Sequence, residues 1–178
     1  MANKTNSANV MNSIKIEKII LGVAGVAEAL EKGVRLLKMI SSMQPIKTKS
    51  KRRIPTWGVR PGLELGAIVT IRDQKKIKDL LKRFLETVEN KIRRKQIADN
   101  HFSFGIPEYI DVPGLEYQRD IGIRGLDVTV VFARPGKRVI RKKIKKGRLP
   151  LKHMVKKEEI INFMKEHFKT EIVEKKEK

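Results

Sequence analysis

The chain has no cysteine among its 178 residues. That excludes disulfide frameworks, thiol nucleophiles and thiolate zinc sites, and it suits a reducing compartment. Aromatic residues make up only 5%. Phe102, Phe104, Tyr109 and Tyr117 are too few and too scattered for the exposed ring platform of an RNA-recognition motif. No apolar run approaches the roughly 18 residues of a transmembrane helix; the longest, Ile19 to Ala27, contains Gly22 and Gly25. The opening residues are polar and lack the apolar core of a secretory signal, so a cytosolic protein is expected. His101, His153 and His167 stand far apart and match no metal-ligand spacing, and no Ser, His and Asp set suggests a triad. Glu108, Asp111 and Glu116 cluster without motif partners and read as a solvated loop rather than an acid–base pair. No catalytic residue, metal or cofactor is expected.

Acidic residues are also scarce, and their distribution is informative. The chain holds 41 Lys plus Arg against 20 Asp plus Glu, a formal charge of +21 with a pI near 10.3. Self-repulsion on that scale opposes compactness unless a polyanion supplies counterions. Between Glu31 and Glu64 there are nine cations and no acid. Between Asp127 and Glu158 there are twelve more, again with no acid. Both blocks are punctuated by Pro and Gly and lack a helical period, so a merely solvated helix face does not account for them. From Asn100 to Asp127 the balance reverses, with Arg119 and Arg124 against Glu108, Asp111, Glu116, Asp120 and Asp127. Nucleic acid is the expected partner.

The length suits one core with tails. Met1 to Ser13 is rich in Asn, Ser and Lys and is expected to be a disordered tail, with Met11 a second candidate start. Lys15 to Val23 reads as a strand with Ile19, Leu21 and Val23 on one face and Ile16, Lys18 and Ile20 on the other. A helix from about Ala27 to Ser41 buries Leu30, Val34, Leu37 and Ser41. Pro45 ends it, and Ile46 to Lys51 alternates cations with Ile, Thr and Ser as an exposed strand. Arg53 to Gly62 is a loop by its turn chemistry. Ala67 to Arg72 is a strand presenting Ala67, Val69 and Ile71 one way and Ile68, Thr70 and Arg72 the other.

Ile77, Leu80, Leu81, Phe84, Leu85, Val88 and Ile92 keep helical spacing over about four turns. Phe102 and Phe104 support a short strand, and Val128, Val130 and Phe132 share a face of another. From 134 to 157 the chain is an extended basic arm with Gly136, Gly147 and Pro150. A final helix, Lys157 to Phe168, carries Glu158 and Glu159 in its first turn and Ile160, Ile161, Met164 and Phe168 as its stripe. The expected fold is α+β: a single domain, 14–172, with a mostly antiparallel sheet, helices packed on one face and the basic arm, followed by a charged tail, 173–178.

Two local features invite a functional reading. Gly22-Val23-Ala24-Gly25 falls between strand and helix, where backbone amides hold phosphates in other folds. It lacks the third glycine of a dinucleotide fingerprint and the Gly-Lys-Ser/Thr ending of a P-loop, so a tight, closely packed turn is the expected reading and contact with an RNA phosphate the alternative. Trp57, the one tryptophan, lies in the Gly- and Pro-rich loop between Arg53 and Arg60. It can stack on a base or anchor the loop to the domain.

Several short segments occur in a characteristic order. They are Ile16-Glu17-Lys18-Ile19; Pro45-Ile46-Lys47-Thr48-Lys49-Ser50-Lys51-Arg52; Gly58-Val59-Arg60; Gly66-Ala67-Ile68-Val69-Thr70-Ile71-Arg72; Phe102-Ser103-Phe104-Gly105-Ile106; Ile121-Gly122-Ile123-Arg124-Gly125-Leu126-Asp127-Val128; and Arg134-Pro135-Gly136. Their order and spacing over about Ile14 to Ile172 resembles the universal large-subunit ribosomal protein five family, the 5S-rRNA-binding proteins, in its archaeal and eukaryotic form. Where that family usually reads Leu-Asn-Ile-Gly-Val-Gly, this chain has Leu21-Gly22-Val23-Ala24-Gly25-Val26, and it has Met43-Gln44 before Pro45.

The resemblance implies a non-enzymatic constituent of the large ribosomal subunit that attaches 5S rRNA at the central protuberance, beside neighbouring ribosomal proteins. It implies 5S contacts at Lys18, Lys47, Thr48, Lys49, Lys51 and Thr70, and an approach to P-site tRNA by the loop carrying Arg53, Trp57 and Arg60. It implies contacts with other large-subunit rRNA along the arm, at Arg134, Lys137, Arg138, Arg141, Lys142, Lys143, Lys145, Lys146, Arg148 and His153. No membrane and no small-molecule substrate is expected. A free-standing RNA chaperone or regulatory RNA-binding module is the alternative. An RNA-modifying enzyme would need a cofactor loop that is not found.

Overall fold

Strands of β-branched residues alternating with small polar ones pair into a six-stranded sheet, and three amphipathic helices close one side of it. The computed structural model describes residues 9–173. The parts of the expected tails at 1–8 and 174–178 lie outside the described residues. Val10–Asn12 forms a 3-10 turn capped by Asn9. The elements that follow are β1 (Lys15–Ala24), α1 (Glu28–Ser41), β2 (Ile46–Lys49), β3 (Glu64–Ile71), α2 (Gln74–Thr87), β4 (Lys91–Arg93), β5 (Ile97–Ala98) and β6 (His101–Ile106). Next come β7 (Leu126–Ala133), α3 (Arg138–Arg141), α4 (Lys157–Phe168) and β8 (Glu171–Val173). The large sheet runs β2-β3-β1-β7-β6-β5 with every neighbouring pair antiparallel. A second, two-stranded sheet pairs β4 with β8 in parallel.

The period of two decides which strand residues enter the core. Ile19, Leu21, Val69, Ile71, Phe102, Val128, Val130 and Phe132 are buried. They join one cluster with Leu30, Leu36 and Leu37 of α1, Ile77, Leu81, Phe84 and Leu85 of α2, and Ile160 and Met164 of α4. Phe163 of α4 meets Phe132 edge-on at 5.6 Å. The fold is therefore a single α+β domain with a mostly antiparallel sheet, as its pattern of elements indicates.

Three details depart from simple periodicity. First, strict alternation places Ile16 away from Ile19, but the β1/β7 register shifts between Ile16 and Lys18. Glu17 is the extra residue of this bulge, and Ile16 turns into the core. Second, α2 stops at Thr87, because Glu89 and Asn90 adopt φ of 53° and 56° and reverse the chain. Ile92, whose spacing continues the α2 stripe, instead pairs with Ile172 in the small sheet. Third, Gly22 lies inside β1, opposite both Ile68 and Asp127, and is no part of a phosphate loop. Gly25 closes the turn by donating its N–H to the Leu65 carbonyl at 2.9 Å.

The acid-rich stretch after β6 is tied down by buried Tyr109, Val112 and Ile121. The Tyr109 hydroxyl accepts from the Gln118 N–H at 2.9 Å. Gly125 lets the chain pass the end of β6: a Cβ there would lie 2.7 Å from the carbonyl oxygens of Ile106 and Pro107.

Candidate nucleic-acid interface

Residues directly opposite one another in neighbouring strands share a face, so the register maps the side of the sheet that the core does not use. One row across it is Lys18–Val131–His101. Next comes Thr70–Ile20–Thr129–Ser103, in which the Ser103 and Thr129 hydroxyls hydrogen-bond at 3.0 Å. The third row spans five strands, Ile46–Ile68–Gly22–Asp127–Gly105. The fourth is Thr48–Gly66–Ala24. These rows are rich in hydroxyls and small side chains, and Ile68 keeps 38% of its surface exposed. Such a surface admits a ribose–phosphate backbone closely and offers hydrogen bonds without bulky obstruction.

The open face gathers Lys18, Thr48 and Thr70 from the expected 5S residues. Lys47 and Lys49 alternate to the other side of edge strand β2, since Lys47 stands opposite the fully buried Ala67. There both approach Glu64, at 3.1 Å and 3.9 Å. Lys51 lies exposed beyond the strand. The cations of β2 thus rim the sheet, while its threonine belongs to the sheet surface.

The hairpin between β2 and β3 carries the loop expected to meet tRNA. Ser50 and Gly62 continue its ladder, with Gly62 N–H donating to the Ser50 carbonyl at 2.9 Å. Ile54 and Val59 close the tip by two reciprocal hydrogen bonds at 3.0 and 3.1 Å. A 3-10 turn over Pro55–Trp57 leads to Gly58 at φ 63°. Val59 anchors the tip in a buried position, whereas Trp57 is 79% exposed and anchors nothing. Arg53 and Arg60 are exposed beside it.

The arm begins at the end of β7, and its first cations are held by the protein itself. Arg134 is 13% exposed and donates to Glu159 of α4 at 2.5 Å. Lys137 reaches Glu17 at 2.7 Å, and Arg141 pairs with the same carboxylate. His153, in a 3-10 turn at Leu151–His153, holds the returning segment of the arm through its Nε2 and the Pro135 carbonyl, 2.8 Å apart. Asn100, at φ 66°, accepts from Val155 N–H through its side chain and donates its own N–H to the Val155 carbonyl, both at 2.9 Å. Sequence reasoning missed Asn100; its position between two strand patterns was the available signal, since Asn tolerates φ above zero. Beyond this base, Lys142, Lys143, Lys145, Lys146 and Arg148 are exposed, as is Arg138 on α3. Away from the arm, on the exposed surface, the Lys91 ammonium hydrogen-bonds Glu89 at 2.6 Å, which lowers the Glu89 carboxyl and raises the Lys91 amine from their ordinary values.

An antiparallel sheet with one face left to solvent, a stiff exposed hairpin and a cation-rich arm define a basic scaffold shaped for a polyanion. Two family models cover almost all of it: "Ribosomal protein L5" matches residues 9–60, and the model of the C-terminus of the same ribosomal family matches residues 64–170. The large ribosomal subunit protein uL5 of Nanoarchaeum equitans is 41% identical over 165 residues, 92% of this chain and 98% of the relative. That of Sulfolobus acidocaldarius is 38% identical over 170 residues, 93% of this chain and 94% of the relative. That of Archaeoglobus fulgidus is 37% identical over 166 residues, 92% of this chain and 93% of the relative.

The chain belongs to the ribosomal protein L5 family. This is a family of structural ribosomal proteins rather than enzymes, and these three relatives are archaeal.

Proposed function

We propose that, within the large ribosomal subunit, this protein binds 5S rRNA on the open face of its six-stranded sheet. The hairpin tip at Arg53, Trp57 and Arg60 is presented to the P-site tRNA, and the arm beyond Arg141 lies along other large-subunit rRNA. The observation that carries this reading is the open face itself, where Lys18, Thr48 and Thr70 stand among small residues on a chain of formal charge +21. The twist natural to a six-stranded sheet gives that face a curved surface suited to a helical backbone.

The test is binding of a 5S rRNA transcript, followed by gel shift across a salt series. Neutralising roughly six to ten phosphates would lower affinity about a thousandfold or more between roughly 50 and 200 mM salt. Lys18→Ala combined with Thr70→Ala should weaken 5S binding while leaving the fold intact. Deleting the hairpin tip should spare 5S binding and disturb tRNA contact. No preference for the transcript over heparin would defeat the proposal.

A further inference from the structure

The row Ile68–Gly22–Asp127–Gly105 has an arrangement that phosphate binding does not explain. It places the only carboxylate of the four open-face rows between two glycines, one on each neighbouring strand. A Cβ at Gly22 would meet nothing within 4 Å, so the surface there is a notch. The Asp127 carboxylate leans toward the other side, with Oδ1 3.4 Å from where a Gly105 Cβ would stand. The notch runs from Ile68 to Asp127 across one intervening strand, about 10 Å between backbones by strand spacing. Its floor is backbone, its near wall is the exposed isoleucine, and its far wall is an acceptor-only group. The backbone of Asp127 is paired within the sheet, but its carboxylate makes no ion pair or hydrogen bond among the described residues.

A carboxylate facing a phosphate backbone repels it. The same group facing a base edge accepts hydrogen bonds. Guanine alone presents two adjacent N–H donors, at N1 and N2, to match the two oxygens of a carboxylate; adenine, cytosine and uracil each offer one such donor group on that edge. Unpaired bases in RNA loops expose these edges and pack on apolar surface. We propose that Asp127 reads an unpaired guanine of the bound RNA, whose ring lies over Gly22 against Ile68. This rests on the assignment of the open face to 5S rRNA and adds a base-specific contact to it.

Asp127→Asn separates the two roles by sign. It removes a negative charge, which strengthens binding if the group merely repels phosphate. It also turns an amide N–H toward the guanine donors, which weakens binding if the group reads the base. The expected result is an affinity for the 5S rRNA transcript about tenfold lower, the scale of a lost bidentate base contact. Kethoxal, which attacks N1 and N2 of unpaired guanine, should find a guanine shielded by the wild-type protein and reactive under Asp127→Asn. Gly22→Val, which adds side-chain volume where space is open, should produce the same exposure and leave Asp127→Asn without further effect.

Equal or tighter binding by Asp127→Asn overturns the inference. So does weaker binding with an unchanged kethoxal pattern. If Lys18→Ala with Thr70→Ala weakens binding while Asp127→Asn strengthens it, the face binds RNA and only the base contact is wrong. If neither variant matters, the assignment of the face fails as well.

Discussion

Glu17 offers a direct measure of how far the arm is positioned by the protein before RNA arrives. The bulge in β1 places it 12% exposed between Ile16 and Lys18, and both Lys137 and Arg141 converge on it. Glu17→Gln keeps the size and removes the charge. A charge-assisted hydrogen bond contributes roughly 1.5–3 kcal/mol when shielded. Here the cations are partly hydrated, with Lys137 39% and Arg141 55% exposed, so screening reduces the loss to about 1–2 kcal/mol for the two together.

That loss should fall on the attachment of α3 rather than on global stability. A change of about 1.4 kcal/mol is a tenfold change in an opening equilibrium. Amide hydrogen exchange read by mass spectrometry is the assay. Segment 138–142 should exchange about tenfold faster in Glu17→Gln, while β1 and β7 stay as protected as before. An unchanged rate in that segment would refute the claim that these ion pairs hold the arm. Faster exchange throughout β1 would show that Glu17 supports the sheet instead.

Further expectations follow from single contacts. Gly125→Ala places a methyl 2.7 Å from two backbone carbonyl oxygens; it should cost about 2 kcal/mol or more in urea unfolding, and a neutral result would mean that the chain can shift there freely. Trp57→Ala should alter stability by less than about 0.5 kcal/mol, because the indole is 79% exposed; a larger loss would mean that it supports the hairpin after all. Glu64→Gln releases Lys47 and Lys49 from their shared carboxylate. It should raise affinity for 5S rRNA about twofold at low salt, an effect on the scale of a surface ion pair, and no change would place the β2 cations away from the RNA.

The parts of the fold that could be read in the sequence are those governed by local period. Alternating burial in β1, β3 and β7, the stripes of α1 and α2, and the start and end of α4 all follow from residues a few positions apart. The bulge at Glu17 could not be read that way, because it arises from how β1 pairs with β7, far along the chain. The end of α2 was hidden for a related reason. Ile92 continues the helical spacing, and only the positive φ values of Glu89 and Asn90, with the pairing to β8, move it into another element.

Charge shows the same division between what is local and what is not. The acid-free block after Asp127 is plain in the sequence, yet its first cations are not free. Glu17 meets Lys137 across 120 positions, and Glu159 meets Arg134 across 25. Counting cations therefore overstates the charge available to RNA at the base of the arm and describes it fairly beyond Arg141. On β2 the count misleads differently, because alternation sends Lys47 and Lys49 away from Thr48. Strand alternation, rather than net charge, selects which residues of a basic segment share the open face with Lys18. It also brings an aspartate into that face, where neutralisation of phosphate alone gives it no role.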